Sequence, residues 1–189
     1  MNQDFYDAVA EAPIIAAVKN EEGLEACLED ENIQVVFLLF GDVITLADNV
    51  ARIRDAGKIV IVHVDFIGGL LSSKEIAVDF VRHTTRANGI ITTHPNCIRR
   101  ARELGMYTVL RAFVLDSIAL DGVPKLASYH PDFIEVLPGV MPKIIHRICS
   151  RIDVPVLAGG LLSDKDDVIS ALDAGASGIS STNTELWKL

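Results

Sequence analysis

Half of the 189 residues are hydrophobic and 23% are charged, a balance that suits one domain able to bury a core without disulfides or structural metal. The formal charge of −9 at pH 7 argues against indiscriminate nucleic-acid binding, which needs a basic surface to displace counterions. The longest apolar runs, such as VVFLLF (35–40), fall far short of the roughly 20 residues that span a bilayer, and MNQDFYDAVAEAP lacks the basic and apolar regions of a signal peptide. A cytoplasmic protein without membrane contact is expected.

In chain order, short β-branched runs alternate with charged segments of helical spacing. PIIAAV (13–18) precedes a helix near 21–31, VVFLLF (35–40) one near 42–56, and KIVIVHVDF (58–66) one near 73–87. GIITT (89–93) leads into 95–104, YTVLRAFVLD (107–116) into 117–129, and FIEVL (133–137) into 141–151. VPVLAGG (154–160) is followed by 164–174, and GISST (178–182) by a short terminal helix in NTELWKL. Glycines in DAG, ANG, ELG and DAGASG are placed to end helices. Asp42, Asp116 and Asp164 are placed to cap them, and Trp187 to pack the last helix onto the barrel.

Near-continuous apolar strands indicate a parallel sheet covered on both faces. Eight strand–helix units at roughly 22-residue spacing predict a small (β/α)8 TIM-type barrel, one α/β domain over residues 1–189. A doubly wound open sheet is the alternative, but no GxGxxG follows the first strand. Cys27, Cys97 and Cys149 are odd in number and form no CxxC pair, so all three read as reduced helix residues.

Functional residues of a parallel barrel gather where strands end. Alternation puts His63 and Asp65 on one face of the third strand, pointing into the barrel near its mouth. Arg111 and Glu135 meet the same criterion on adjacent strands and would satisfy each other's charge, while Lys19 ends the first strand over the same opening. Such a set is either a polar plug that fills the interior or a ligand site. There is no nucleophile with a matching base, no HExxH and no P-loop, so no catalytic residue is assigned, and one histidine with one carboxylate assigns no metal.

PVLAGGLL (155–162) and GASGISSTNTELW (175–187) end the seventh and eighth strands in glycines and hydroxyls, where barrels of this kind often bind phosphate. Gly159 and Gly160 would let backbone N–H groups approach an anion, Ser180, Ser181 and Thr182 would donate to it from backbone and hydroxyl, and Gly139 borders the same place. Thr182 to Glu185 has the spacing of a capping box.

Charge is unevenly spread. Residues 1–57 hold twelve acids against three bases, whereas 82–111 holds Arg82, Arg86, Arg99, Arg100, Arg102 and Arg111 with only Glu103 opposing. Lys143, Arg147 and Arg151 form a second basic row at four-residue spacing. Solvated helix faces are the plain reading of both.

HVDFIGGL (63–70), GIITT (89–93), LRAFVLDS (110–117), PDFIEVLPGVMPKII (131–145), PVLAGGLL and STNTELW (181–187) together resemble the glycerol 3-phosphate-responsive antiterminator family. The resemblance implies a barrel that binds glycerol 3-phosphate and acts on leader mRNA of glycerol-utilisation genes to prevent premature termination. It implies a phosphate at Gly159, Gly160, Ser180, Ser181 and Gly139, with the glycerol moiety towards His63, Asp65 and Glu135. Lys19 and Arg111 stand beside that polyol end, and no cofactor is implied besides the effector. The RNA would lie on Arg82, Arg86, Arg99, Arg100 and Arg102 or on Lys143 and Arg147, with a homodimer as a way to join two weak patches. Gly68 and His94 depart from the family pattern, which commonly has a longer polar residue and a Lys or Arg there. The rival expectations are an isomerase, lyase or phosphodiesterase using His63, Asp65 or Glu135, and a sensor that signals through protein contacts.

Overall fold

The computed structural model describes residues 5–189, in which eight parallel strands close into a barrel in sequence order. They are β1 (Ile14–Val18), β2 (Val35–Leu38), β3 (Ile59–His63), β4 (Gly89–Thr92), β5 (Tyr107–Phe113), β6 (Phe133–Leu137), β7 (Val156–Gly159) and β8 (Gly178–Ser181). β1 pairs with both β2 and β8, through Ala16 with Val36 and Ile15 with Ser180, so the open doubly wound sheet is excluded. Nine helices lie among the described residues: α1 (Phe5–Glu11), α2 (Glu21–Glu29), α3 (Leu46–Asp55), α4 (Ile76–Thr84), α5 (Pro95–Glu103), α6 (Ser117–Ala127), α7 (Pro142–Cys149), α8 (Lys165–Asp173) and α9 (Thr184–Trp187).

Strand alternation divides the apolar residues into an outer layer under the helices and an inner one. Val36, Val60, Val62 and Ile90 pack outwards against Leu24, Val50 and Val78 of the helices. Ile15, Phe37, Ile61, Val109, Phe133 and Leu157 fill the barrel's lower interior. α1 joins this inner cluster through Phe5, Ala8 and Val9, closing the amino end of the barrel. The Phe5 ring lies 4.9 Å from that of Phe133 and 5.3 Å from that of Tyr107. No helix was expected before β1, although Phe5, Ala8 and Val9 carry i, i+3, i+4 spacing. At seven residues the helix is too short to hold by propensity, and only the open barrel end beneath it supplies its partner.

Several element ends differ from expectation, each for a local reason. β3 stops at His63, and Val64–Phe66 forms a 3-10 helix where strand was expected to residue 66. α3 starts at Leu46 because the Asp42 carboxylate accepts the amides of Ile44 and Thr45, making a side-chain turn before the helix; the cap is Thr45. Asp116 and Asp164 cap as expected, accepting from Ala119 at 2.8 Å and Asp167 at 2.9 Å. Gly89 of ANG ends no helix: it opens β4, where a Cβ would collide with the Tyr107 carbonyl. The three cysteines are free and helical, and no helix of the described residues is long and apolar enough to cross a membrane.

Truncating the plug tests this architecture. Phe5→Ala should cost about 3–5 kcal/mol, the range for deleting a buried aromatic ring. Calorimetry should register this as a fall of roughly 10 °C in Tm.

Candidate ligand-binding site

Above the apolar layer the barrel interior turns polar at the carboxyl ends of the strands. Arg111 of β5 stands in register with Glu135 of β6, and its Nε donates to Glu135 Oε2 at 2.5 Å, as the sequence suggested. Glu135 is fully buried, and its other carboxylate oxygen accepts from the Ser180 hydroxyl, two strands away on β8. β7 lies between, and Gly159 stands at the crossing: a Cβ there would come within 2.6 Å of Ser180 Oγ and 2.8 Å of Glu135 Oε1. Gly159 is therefore required by a contact inside the barrel. The Ser180 hydroxyl, expected at a phosphate, donates a hydrogen bond to Glu135.

The Arg111 terminal N–H groups make no hydrogen bond to the described residues, and Arg111 lines a cavity of about 350 Å³ with Leu39, Gly160, Leu161, Ser181 and Thr182. Both loops flagged in the sequence thus meet at one opening. Gly160 takes φ +77°, a left-handed conformation suited to glycine, and Leu161 follows at φ +63°. The amides of Gly160, Leu161 and Thr182 have no hydrogen-bond acceptor among the described residues. Sequence reasoning missed Leu161, and gave Thr182 two roles, a donor to the anion beside Ser180 and Ser181 and a helix cap; its one clue to Leu161 was position, directly after a glycine pair.

Other expected contributors are already engaged. The Gly139 amide donates to the Gly160 carbonyl at 3.0 Å, so it shapes the loop and is not open to an anion. Ser181 Oγ accepts from the Asn183 amide and the Ser181 carbonyl from Trp187 Nε1 at 2.8 Å, anchoring α9. The cap of that helix is Asn183, which accepts from Glu185, one residue later than the predicted Thr182. Lys19 lies on a neighbouring cavity of about 280 Å³ that shares Ala17 and Thr182 with the first.

His63 and Asp65 do not share a strand face, because the 3-10 turn intervenes. Asp65 accepts from Thr92 Oγ1 at 2.7 Å, from the Thr93 amide at 2.8 Å and from Thr93 Oγ1 at 2.9 Å, with His94 Nδ1 at 3.3 Å. Burial pushes its carboxyl upwards, but these hydrogen bonds outweigh burial and hold it below the usual range. It ties the end of β3 to that of β4 and has little left for a ligand. His63 is the opposite case. It is 1% exposed, neither ring nitrogen has a partner among the described residues, and its ring lies 4.3 Å from that of Phe66. Burial, then the Arg111 charge, depress its pKa to about 3, so it is a neutral imidazole able to donate one hydrogen bond and accept another. No group of three or more potential metal ligands occurs among the described residues.

The proposed basic island is largely neutralised. Arg86 pairs with Asp55 at 2.7 Å, Arg99 with Glu75 at 2.9 Å, and Arg100 with both Asp79 at 2.6 Å and Glu103 at 2.9 Å. Arg102 reaches only the Tyr129 carbonyl, at 3.4 Å. Of these acids Asp55, Glu75 and Asp79 lie outside the 82–111 window, in which only Glu103 was counted. Arg151 pairs with Asp121, whereas Arg82, Lys143 and Arg147 are exposed with no ion-pair partner among the described residues.

Two measurements probe this geometry. Gly159→Ala forces a methyl group between Ser180 and Glu135 and should cost about 1–3 kcal/mol, read as a lower denaturant midpoint. His63 folds neutral while the unfolded chain protonates it below pH 6.5, so it lowers stability increasingly as pH falls from 6.5 towards 3 and has no effect above. Relative to His63→Phe, the wild type should lose about 1.4 kcal/mol per pH unit in that window; parallel pH profiles would refute the assignment.

Comparison with known proteins fits this arrangement. A family model described as glycerol-3-phosphate responsive antiterminator matches residues 14–187. The chain is 38% identical over 178 residues to the uncharacterized protein YgcP of Escherichia coli (strain K12), covering 94% of this chain and 92% of that one. The glycerol uptake operon antiterminator regulatory protein of Listeria monocytogenes str. 4b F2365 superposes with a TM-score of 0.88 at 31% identity, over 93% of this chain and 94% of that one. A glycerol uptake operon antiterminator-related protein of Thermotoga maritima MSB8 gives 0.80 at 34%, over 93% and 98%. Deoxyribose phosphate aldolase of Aeropyrum pernix, at 0.70 and 15% identity over 95% and 88%, shares the fold alone. By sequence along nearly its whole length and by structure, this chain belongs to the glycerol-3-phosphate responsive antiterminator family.

Proposed function

We propose that the protein is a cytoplasmic regulator that binds glycerol 3-phosphate at the carboxyl end of the barrel and then acts on leader mRNA to prevent premature termination. The observation that carries the ligand reading is His63, buried and unpartnered, near a guanidinium with free N–H groups and amides that donate to nothing. Buried polar groups are ordinarily hydrogen-bonded, so such a constellation matches a ligand that is anionic at one end and hydroxylated at the other. The phosphate is assigned to the amides of Gly160, Leu161 and Thr182 and to the free edge of Arg111, with Lys19 adding positive charge at the rim. The glycerol hydroxyls are assigned to His63, beside Arg111 and Glu135. Gly159 and Ser180 serve by holding Glu135, and Asp65 by fixing the β3 and β4 ends.

A regulator is favoured over an isomerase, lyase or phosphodiesterase because both interior carboxylates are committed. Arg111 and Ser180 hold the two oxygens of Glu135, and Thr92 and Thr93 those of Asp65, so proton transfer at either would compete with hydrogen bonds that fix the strand ends. The RNA contact is assigned to Lys143 and Arg147 on α7, whose charges are unpaired, in preference to the neutralised arginines of α4 and α5.

Titration calorimetry and filter binding test both halves. Arg111→Lys keeps a cation for Glu135 but loses the planar fork, and should weaken glycerol 3-phosphate binding about tenfold. The wild type should retain leader RNA on a filter only with glycerol 3-phosphate, and Lys143→Ala with Arg147→Ala should reduce the salt dependence by about two charges. RNA retention that ignores the ligand, or none at all, would sink the regulatory half.

A further inference from the structure

In this structure His63 is cut off from the cavity whose ligand it is assigned to hold. The cavity of about 350 Å³ is lined by Arg111, Gly160, Leu161 and Thr182 but not by His63. Both ring nitrogens of His63 are shut off from solvent, and neither has a hydrogen-bond partner among the described residues. A hydrogen bond needs its heavy atoms within about 3.2 Å, so a ligand in the cavity reaches His63 only if a side chain between them moves. Phe66 is placed to be that side chain. Its ring packs on the His63 ring, with centroids 4.3 Å apart and planes tilted by 58°, and the Arg111 guanidinium carbon lies 5.8 Å from the Phe66 centroid. The ring thus touches the buried imidazole and neighbours the cation that lines the cavity. Phe66 is itself 52% exposed, so it covers His63 without belonging to the core.

The backbone is pinned on both sides of this residue. Before it, Val64 is buried and the Asp65 carboxylate is tied to Thr92 and Thr93. After it, the Gly68 amide donates to the Gly41 carbonyl and the Gly68 carbonyl accepts from the Val43 amide, each at 2.9 Å. A Cβ on Gly68 would meet that of Asp42 at 3.2 Å, so this departure from the family pattern keeps the seam between the two loops tight. With both flanks held, the part left to move is the Phe66 side chain, between its own staggered rotamers. A half-exposed side chain makes that change faster than a loop or a domain moves.

We propose, on the glycerol 3-phosphate reading, that Phe66 is the specificity-determining residue of the site: its ring bars the way from the cavity to His63, a polyol phosphate displaces it, and a bare phosphate does not. A ligand hydroxyl that reaches His63 meets a donor and an acceptor that are otherwise unsatisfied, which offsets the ring contact given up. Inorganic phosphate, held at Arg111 and the loop amides, has no group to offer His63 and leaves the ring in place. The two anions are told apart by their differential affinity for the two positions of one side chain.

Diethylpyrocarbonate, which acylates a neutral imidazole at a nitrogen it can reach, tests this on the intact protein by peptide mapping. In the wild type His63 should react roughly tenfold more slowly than the exposed His146, and in Phe66→Ala at about the same rate. Phe66→Leu, which keeps a smaller apolar cover, should fall between them. Glycerol 3-phosphate should protect His63 of Phe66→Ala, and inorganic phosphate should not. By calorimetry, Phe66→Ala should bind glycerol 3-phosphate roughly fivefold more tightly than the wild type does and inorganic phosphate equally well. A wild-type His63 as reactive as His146, or one that stays unreactive in Phe66→Ala, would overturn the cover while leaving the effector reading intact. An equal change in affinity for both anions would overturn the selection. If His63 becomes reactive in Phe66→Ala and glycerol 3-phosphate gives no protection, the effector contact at His63 fails, and the selection with it, while the cover stands.

Discussion

Everything at the carboxyl end of this barrel is arranged around one buried carboxylate. An ionised Glu135 in the interior is tolerable only if both its oxygens are satisfied, because removing a carboxylate from water costs several kcal/mol that must be offset locally. Arg111 supplies one partner from β5 and Ser180 the other from β8, and Gly159 on β7 keeps the line between them open. Four consecutive strands are thereby committed to one register. With Nε turned inward to Glu135, the guanidinium presents its remaining N–H groups to the cavity, so the same ion pair that stabilises the interior also positions the cation of the site.

The opposite wall is closed by a second carboxylate. Asp65 ties the end of β3 to that of β4 through Thr92 and Thr93, which confines the open part of the mouth to the side bounded by β5, β7, β8 and β1. His63, buried beside Phe66, has neither ring nitrogen engaged by the described residues. Below them the interior is wholly apolar and sealed by α1, so polar chemistry has only one end of the barrel available to it. Leu161 both lines the cavity and is among the exposed apolar side chains at that end.

Much of this was legible in the chain. The eight strands, the barrel, the Arg111–Glu135 pair and the two loops that meet at the cavity follow from alternation, strand adjacency and glycine placement, all of which are local or near-neighbour properties. Asp65 was misread because a 3-10 turn broke the alternation used to place it, and nothing in VHVDF distinguishes strand from turn. The arginine-rich window looked basic because its counter-charges, Asp55, Glu75 and Asp79, are brought alongside only by helix packing. The exposed aliphatic residues of the loops were invisible because hydrophobicity says that a side chain should be buried, not whether anything covers it.

The sequence by itself determined the fold class and the end of the barrel at which chemistry could gather, because period and punctuation are written residue by residue. The tertiary structure alone decided which polar groups remain free. Ser180, Gly139 and Asp65 are drawn into contacts with residues 20 to 50 positions away, whereas His63 and the amides of Gly160, Leu161 and Thr182 are left without a partner among the described residues. Hydrogen-bond satisfaction is a property of the folded neighbourhood, and it is what turns a list of polar residues into a site.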